Sequence, residues 1–301
     1  MNNAAEQMGA GASFGREAWR RVWASGIARA CLAVLALFFV VALAGEAANA
    51  WYEWRDVTPP WQAQELAARY LPPGAGHWLG TDGLGRDVAL RLAQGARIAF
   101  EVGVVSSLLA VMIGVLLGCL GGYFGGWVDD LVVWLATTFA AIPGLLFVLA
   151  IAMVVGKGLL GVFLAIGLTT WVGVCRLIRA EVLRQKERGY VRAAQALGFS
   201  SWRILFRHIL PNVLHVALVS FTLRFPAAIG TEVFLSFLGI GAQGQPSWGT
   251  MIASARLRLW QGIWWELAAV TVAIFAVVLA FNLLGDILRD ALDPRLRVAT
   301  D

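Results

Sequence analysis

Residues 176–211 read RLIRAEVLRQKERGYVRAAQALGFSSWRILFRHILP, and this stretch decides the fold. It carries eight Arg/Lys against two Glu, between apolar runs that are almost free of charge. A basic block between hydrophobic runs is the local form of the positive-inside signal, which places it in the cytoplasm with a membrane span on either side. The block is not a plain loop. Leu177 to Leu197 holds good helix formers and no proline. Gly198 interrupts the pattern, Ser200 and Ser201 can cap a restart, and Trp202 to Leu210 repeats it. Pro211 marks a bend or a new helix start. The expectation is a helix–turn–helix element on the cytoplasmic face, built to touch something.

Working outward, the 301 residues are 59% hydrophobic and 14% charged, with a mean hydropathy of +0.71. Soluble domains carry about 25% charge, so an all-α integral membrane protein is expected. The net charge of +5 would suggest nucleic acid in a soluble protein; here the surplus lies in the cytoplasmic segments, and no nucleic-acid partner is expected. Fourteen Trp suit the two lipid–water interfaces. Cys31, Cys119 and Cys175 stand in apolar surroundings without metal-ligand spacing and read as packing residues.

Six spans are expected. Residues 1–27 form a cytoplasmic tail, small and polar through residue 15 and then basic at Arg16, Arg20 and Arg21. Residues 28–45 form an uncleaved first span rather than a signal peptide. Residues 46–97 form an external segment, with five basic and six acidic residues, too short and polar for its own core. There Asp82 can cap a helix starting near Leu84. Residues 98–285 form a core of five spans, 98–120, 131–155, 159–175, 212–237 and 263–284, around the cytoplasmic loop 176–211; residues 286–301 form a second cytoplasmic tail. Pro143 can kink or break the third span. The fifth holds Arg224, Pro226 and Glu232. An arginine at mid-membrane is costly against lipid, so Arg224 is expected to face the translocation path or a neighbouring subunit, or to snorkel.

The sequence has no Walker lysine loop, HExxH, CxxC or nucleophile elbow. The chain is therefore not expected to be a self-contained enzyme or to bind a cofactor or metal. Energy for transport would come from ion coupling or from a separate ATPase. Ion coupling has only Arg224, Glu232, Glu101 and Glu266 to use, none an obvious midplane carboxylate. A helix pair with apolar anchors at Trp202, Leu205, Phe206 and Ile209 fits the ATPase alternative, since it can seat in a partner's groove.

YVRAAQALGFSSWRILFRHILPN resembles the cytoplasmic EAA loop of ABC-importer membrane subunits. Arg192-Ala193-Ala194, Gly198 and Leu210-Pro211 occupy the places of its Glu-Ala-Ala, Gly and Leu-Pro. Arg192 stands where the pattern has Glu, and His208 where an Ile often stands. LGTDGLGRDVALRLAQGARIAFEVG (79–103), LSFLGIGAQGQPSWGTMI (235–252) and DPRLR (293–297) resemble the dipeptide/oligopeptide/nickel branch, in its C-type permease subunits. The resemblance implies a type I ABC importer permease fold in the bacterial inner membrane, with both termini cytoplasmic. It implies a heterodimer with a sister permease, two cytoplasmic ATPases holding ATP and Mg, and an external substrate-binding protein. Arg192, Ala193, Ala194, Leu197, Gly198, Trp202, Phe206, Leu210 and Pro211 would form the coupling helix in the ATPase cleft. Arg224, Pro226, Glu232 and Pro143 would line the path or the subunit interface. The implied cargo is a dipeptide or oligopeptide, with nickel, a metallophore or glutathione as alternatives. An ion-driven carrier is the rival from another class, and a membrane scaffold the bland one.

Overall fold

The computed structural model describes residues 23–74 and 76–292; the expected tail through residue 22 and the DPRLR segment lie outside them. Apolar runs in lipid must satisfy their own backbone groups, and these do so as helices. In order they are α1 (Gly26–Arg55), α2 (Val88–Phe124), α3 (Gly126–Ala141), α4 (Gly144–Val155), α5 (Leu159–Lys186), α6 (Gly189–Ala196), α7 (Ser201–Phe237), α8 (Trp248–Ala255) and α9 (Trp265–Leu292). Among the described residues, α1, α2, α5, α7 and α9 are each long and apolar enough to cross a membrane. A sixth candidate is the pair α3–α4, bent by 95°. The bend falls at Ile142-Pro143, where proline cannot continue the α3 hydrogen-bond ladder.

The centre of the bundle is the pairing of α2 with α5, and small residues make it possible. A methyl group on Gly114 would stand 2.6 Å from Cβ of Val174, one on Gly118 2.7 Å from the carbonyl of Cys175, and one on Gly122 2.9 Å from the carbonyl of Arg179. Three glycines four residues apart thus form a stripe along which the α5 backbone lies, the close approach that lets helices associate where no water drives them together. α2 also receives α7 and α9 through aromatic contacts. Phe225 lies 5.4 Å from Phe100 and stacks 4.1 Å from Phe281, centroid to centroid. The three cysteines are free and buried, in keeping with a packing role.

The segment between α1 and α2 corrects one expectation. Asp82 caps no helix: α2 starts at Val88, with Asp87 as the cap accepting from the Leu90 N–H. Oδ1 of Asp82 instead accepts from the N–H groups of Leu84 (2.8 Å) and Arg86 (3.0 Å), closing a tight turn. Gly85 in this turn has φ +74°, and the Glu65 backbone lies against its Cα where a side chain would project. The first helix continues to Arg55, well past the expected end of its span.

Candidate coupling surface and transmembrane seam

At the far end of α2 and α5 the basic stretch folds back on itself. The helix expected from Leu177 to Leu197 is broken at Glu187-Arg188, so α5 and α6 are separate and α6 returns against α5. The cause is burial. Val191 and Ala194 of α6 and Ile204, Leu205 and Ile209 of α7 share one apolar cluster with Ile178 and Val182 of α5 and Tyr123 of α2. A single straight helix would leave this stripe in water. Gly198 ends α6 with φ +75°, and its N–H donates to the Gln195 carbonyl at 2.9 Å. Ser200 caps the restart by accepting from the Arg203 N–H. Pro211 stands in the first turn of the regular α-helix Leu210–Phe237, as expected of a helix start, and a π-helical turn over Leu205–Ile209 joins that helix to the turn at Ser201–Ile204 to make α7.

The base of this hairpin is pinned by charge. Arg179 donates to Asp129 through Nε (2.5 Å) and Nη2 (2.6 Å), tying α5 to the first turn of α3. Lys186 Nζ donates to the Tyr123 carbonyl at 2.8 Å, a cation at the C-terminus of α2. The Tyr190 hydroxyl donates to Gln185 at 2.9 Å, and partial burial raises its pKa above the ordinary tyrosine value.

The tip is different. Arg192, Ala193 and Gly198 are exposed, and Leu197 is 73% exposed. A side chain on Gly198 would meet open space. Trp202 and Phe206, stacked on each other at 5.8 Å, are also more than half exposed. Of the expected contact residues, Ala194 is buried in the hairpin's own core, Leu210 is half-buried and Pro211 exposed. Arg192, in the place of the pattern's Glu, pairs with Glu187 at 2.6 Å, both more than two-thirds exposed. His208 packs face to face with Phe199.

Between α5 and α7 runs a seam of another character. Arg224 stands in α7, half-buried, and its Nη2 lies over Gly173 of α5, so that a side chain there would require the guanidinium to shift. Pro226 is buried two residues on and withholds the N–H that the Thr222 carbonyl would accept in a regular helix. Glu232 is fully buried near the α8 end; Oε1 accepts from the Ser236 hydroxyl at 2.6 Å and Oε2 has no hydrogen bond. Pro143 lies apart from these residues, exposed at the α3–α4 bend.

The family model described as "Binding-protein-dependent transport system inner membrane component" matches residues 110–298, which take in the hairpin and the seam together. The chain belongs to this family. This permease is 40% identical over 286 residues to the dipeptide transport system permease protein DppC of Bacillus subtilis, covering 95% of this chain and 87% of that one. It is 40% identical over 227 residues to the oligopeptide transport system permease protein OppC of the same organism, over 75% and 74% of the two chains. It is 38% identical to the glutathione transport system permease protein GsiD of Pectobacterium atrosepticum, over 94% and 93%. A solved structure of the MetNI methionine ABC transporter in inward-facing conformations superposes with a TM-score of 0.53 at 17% identity, covering 67% of this chain and 96% of that one. The fold is that of a type I ABC importer permease, and the protein is a multi-pass membrane protein of the C-type dipeptide/oligopeptide branch.

Three features of the permease escaped the reading of its sequence. The Gly114-Gly118-Gly122 stripe was visible as a four-residue repeat inside a span. The Asp129–Arg179 pair, fifty residues apart, carries no local signal. At the α8 end, Asp82 Oδ2 pairs with Arg86 at 2.7 Å and Arg91 at 3.4 Å, and buried Glu266 lies close enough to feel both arginines. His77 adds a 2.7 Å contact to Asp87, and Arg97 bridges Glu46 of α1 (2.6 Å) and Gln245.

Proposed function

We propose that this chain forms half of the translocation path of an ATP-driven importer of short peptides and takes its energy through the hairpin at residues 176–211. The cargo class rests on the dipeptide, oligopeptide and glutathione relatives. A sister permease supplies the other half of the path, an external binding protein delivers cargo, and two cytoplasmic ATPases hold the ATP and magnesium. The chain itself has no catalytic step. The hairpin and both termini lie in the cytoplasm, as its basic residues favour.

One observation carries the coupling role. The hairpin is fixed at its base by charge-assisted hydrogen bonds to α2 and α3, while Leu197 and its neighbours face outward unpacked. A rigid lever with an apolar tip suits a partner's cleft: a push on the tip travels through Arg179 and Lys186 into the spans. Arg192, Ala193, Leu197, Gly198, Trp202 and Phe206 form this contact, with Ala194, Leu210 and Pro211 setting its shape. In the membrane, Arg224, Pro226 and Glu232 belong to the path or subunit interface, and Pro143 to the bend that shapes it.

Leu197→Asp tests the coupling, and more cleanly than a change at Gly198, whose positive φ would confound partner loss with backbone strain. In proteoliposomes holding the complete assembly, the expected result is loss of ATP-dependent peptide uptake by roughly tenfold or more, the range of an interface anchor. The unfolding free energy of the permease should stay within about 0.5 kcal/mol of wild type. Undiminished uptake would contradict the role.

A further inference from the structure

Arg224 is a charge in an expensive place with no fixed partner. It stands thirteen residues, about 20 Å, from either end of the helical stretch between Pro211 and Phe237. Its guanidinium lies level with Gly173, one turn before Arg176 at the start of the basic stretch. It makes no hydrogen bond or ion pair among the described residues, whereas Arg91, Arg97 and Arg179 each hold a carboxylate. It does have room made for it: Gly173 is bare where the guanidinium crosses to α5.

The surroundings of that crossing are not those of a lipid-facing surface. One turn from Gly173 stand Thr169 and Thr170 on one side and Arg176 on the other; one and two turns from Arg224 stand Ala227 and Thr231. All are half-buried or exposed. The threonine hydroxyls donate back to the carbonyls of Ala165 (2.7 Å), Ile166 (2.7 Å) and Ala227 (2.9 Å). Their donors are spent within their own helices, leaving Arg224 and, one turn along α5, Arg176 as charged donors with no carboxylate partner among the described residues.

We propose that Arg224 is the contact for the carboxylate of a peptide in transit, and that Gly173 is the clearance that lets it lie across the seam. The proposal rests on the peptide-importer reading. A short peptide brings an acceptor of the right charge and a planar geometry that a guanidinium meets with two hydrogen bonds. The absence of a resident carboxylate is what the role requires, since a permanent ion pair would compete with cargo. An acidic group on the sister permease would supply the same chemistry as a lasting pair, and the test separates the two.

The complete assembly in proteoliposomes is supplied with a short peptide as free acid and as its C-terminal amide, for wild type, Arg224→Gln, Arg224→Lys and Gly173→Ala. Any preference of the binding protein is common to all four and cancels when the ratio of acid to amide uptake is compared between them. Arg224→Gln should lower free-acid uptake roughly tenfold or more, as expected for a lost charge-assisted contact, and leave the amide within about twofold. Arg224→Lys should recover much of the free-acid uptake, and Gly173→Ala should shift the ratio in the same direction as Arg224→Gln. Equal loss for both peptides, with less heterodimer recovered on size exclusion, would overturn the proposal in favour of a subunit ion pair. An unchanged ratio, or Gln and Lys variants equally impaired in free-acid uptake, would overturn it as well. Failure of wild type to import either peptide would refute the importer reading itself.

Discussion

The two ends of α2 handle their side chains in opposite ways. At the α8 end a charge cluster drawn from three elements turns inward: Asp82 of the α1–α2 segment, Arg91 of α2 and Glu266 of α9 are buried, with Arg86 beside them. At the hairpin end, apolar groups turn outward: Leu197, Trp202 and Phe206 are largely exposed, and the ion pair of Arg192 with Glu187 lies in solvent. The first arrangement ties the α1–α2 segment to α2 through Asp82 and Arg91. The second leaves a leucine and two aromatics more than half exposed, although Trp202 also packs on Phe124 of α2 at 5.1 Å. The difference is between side chains that hold the bundle and side chains that, under the proposed coupling role, receive a partner.

This contrast can be broken from either side. The largest expected effect on stability is at the inward-facing charges. Asp82→Ala removes the acceptor of two backbone N–H groups and strands two arginines, and should destabilise the permease by about 3 kcal/mol or more, measured by unfolding in detergent. A change within experimental error would mean that the segment is only draped over the bundle. A far smaller effect is expected at the hairpin. Arg192→Gln deletes an exposed ion pair and should cost less than about 1 kcal/mol, with the little it contributes vanishing in high salt. A loss comparable to that of Asp82→Ala would place Arg192 among the groups that hold the fold.

The same contrast explains what could be read from the sequence. Five of the expected spans were legible as long apolar helices because lipid imposes long apolar runs, and the expected third is the bent α3–α4 pair. The break at Pro143 was legible because proline has one meaning inside a span. The break at Glu187-Arg188 was not, because both residues suit a helix; the turn is imposed by Val191 and Ala194 reaching back to the apolar face of α5. Asp82 and Asp87 look alike as caps in GTDGLGRD. Only packing of the Glu65 backbone against Gly85 makes the first a turn residue and leaves the second to start the helix. At the candidate site, the motif marked the hairpin as a unit but not which way its residues face. Ala194 and Leu197 belong to one pattern, yet one is core and the other is surface.

The claim that the hairpin tip is covered by an ATPase is most directly tested by its chemical accessibility. Leu197→Cys and, at the opposite end, Trp78→Cys (84% exposed in the parent) would be labelled with a membrane-impermeant maleimide in detergent, before and after the ATPases are added. The native cysteines are buried and set only a low background. The expected result is fast labelling of both in the permease pair, then protection of the cysteine at 197 alone once the ATPases bind. Equal labelling at 197 with and without the ATPases would contradict the account.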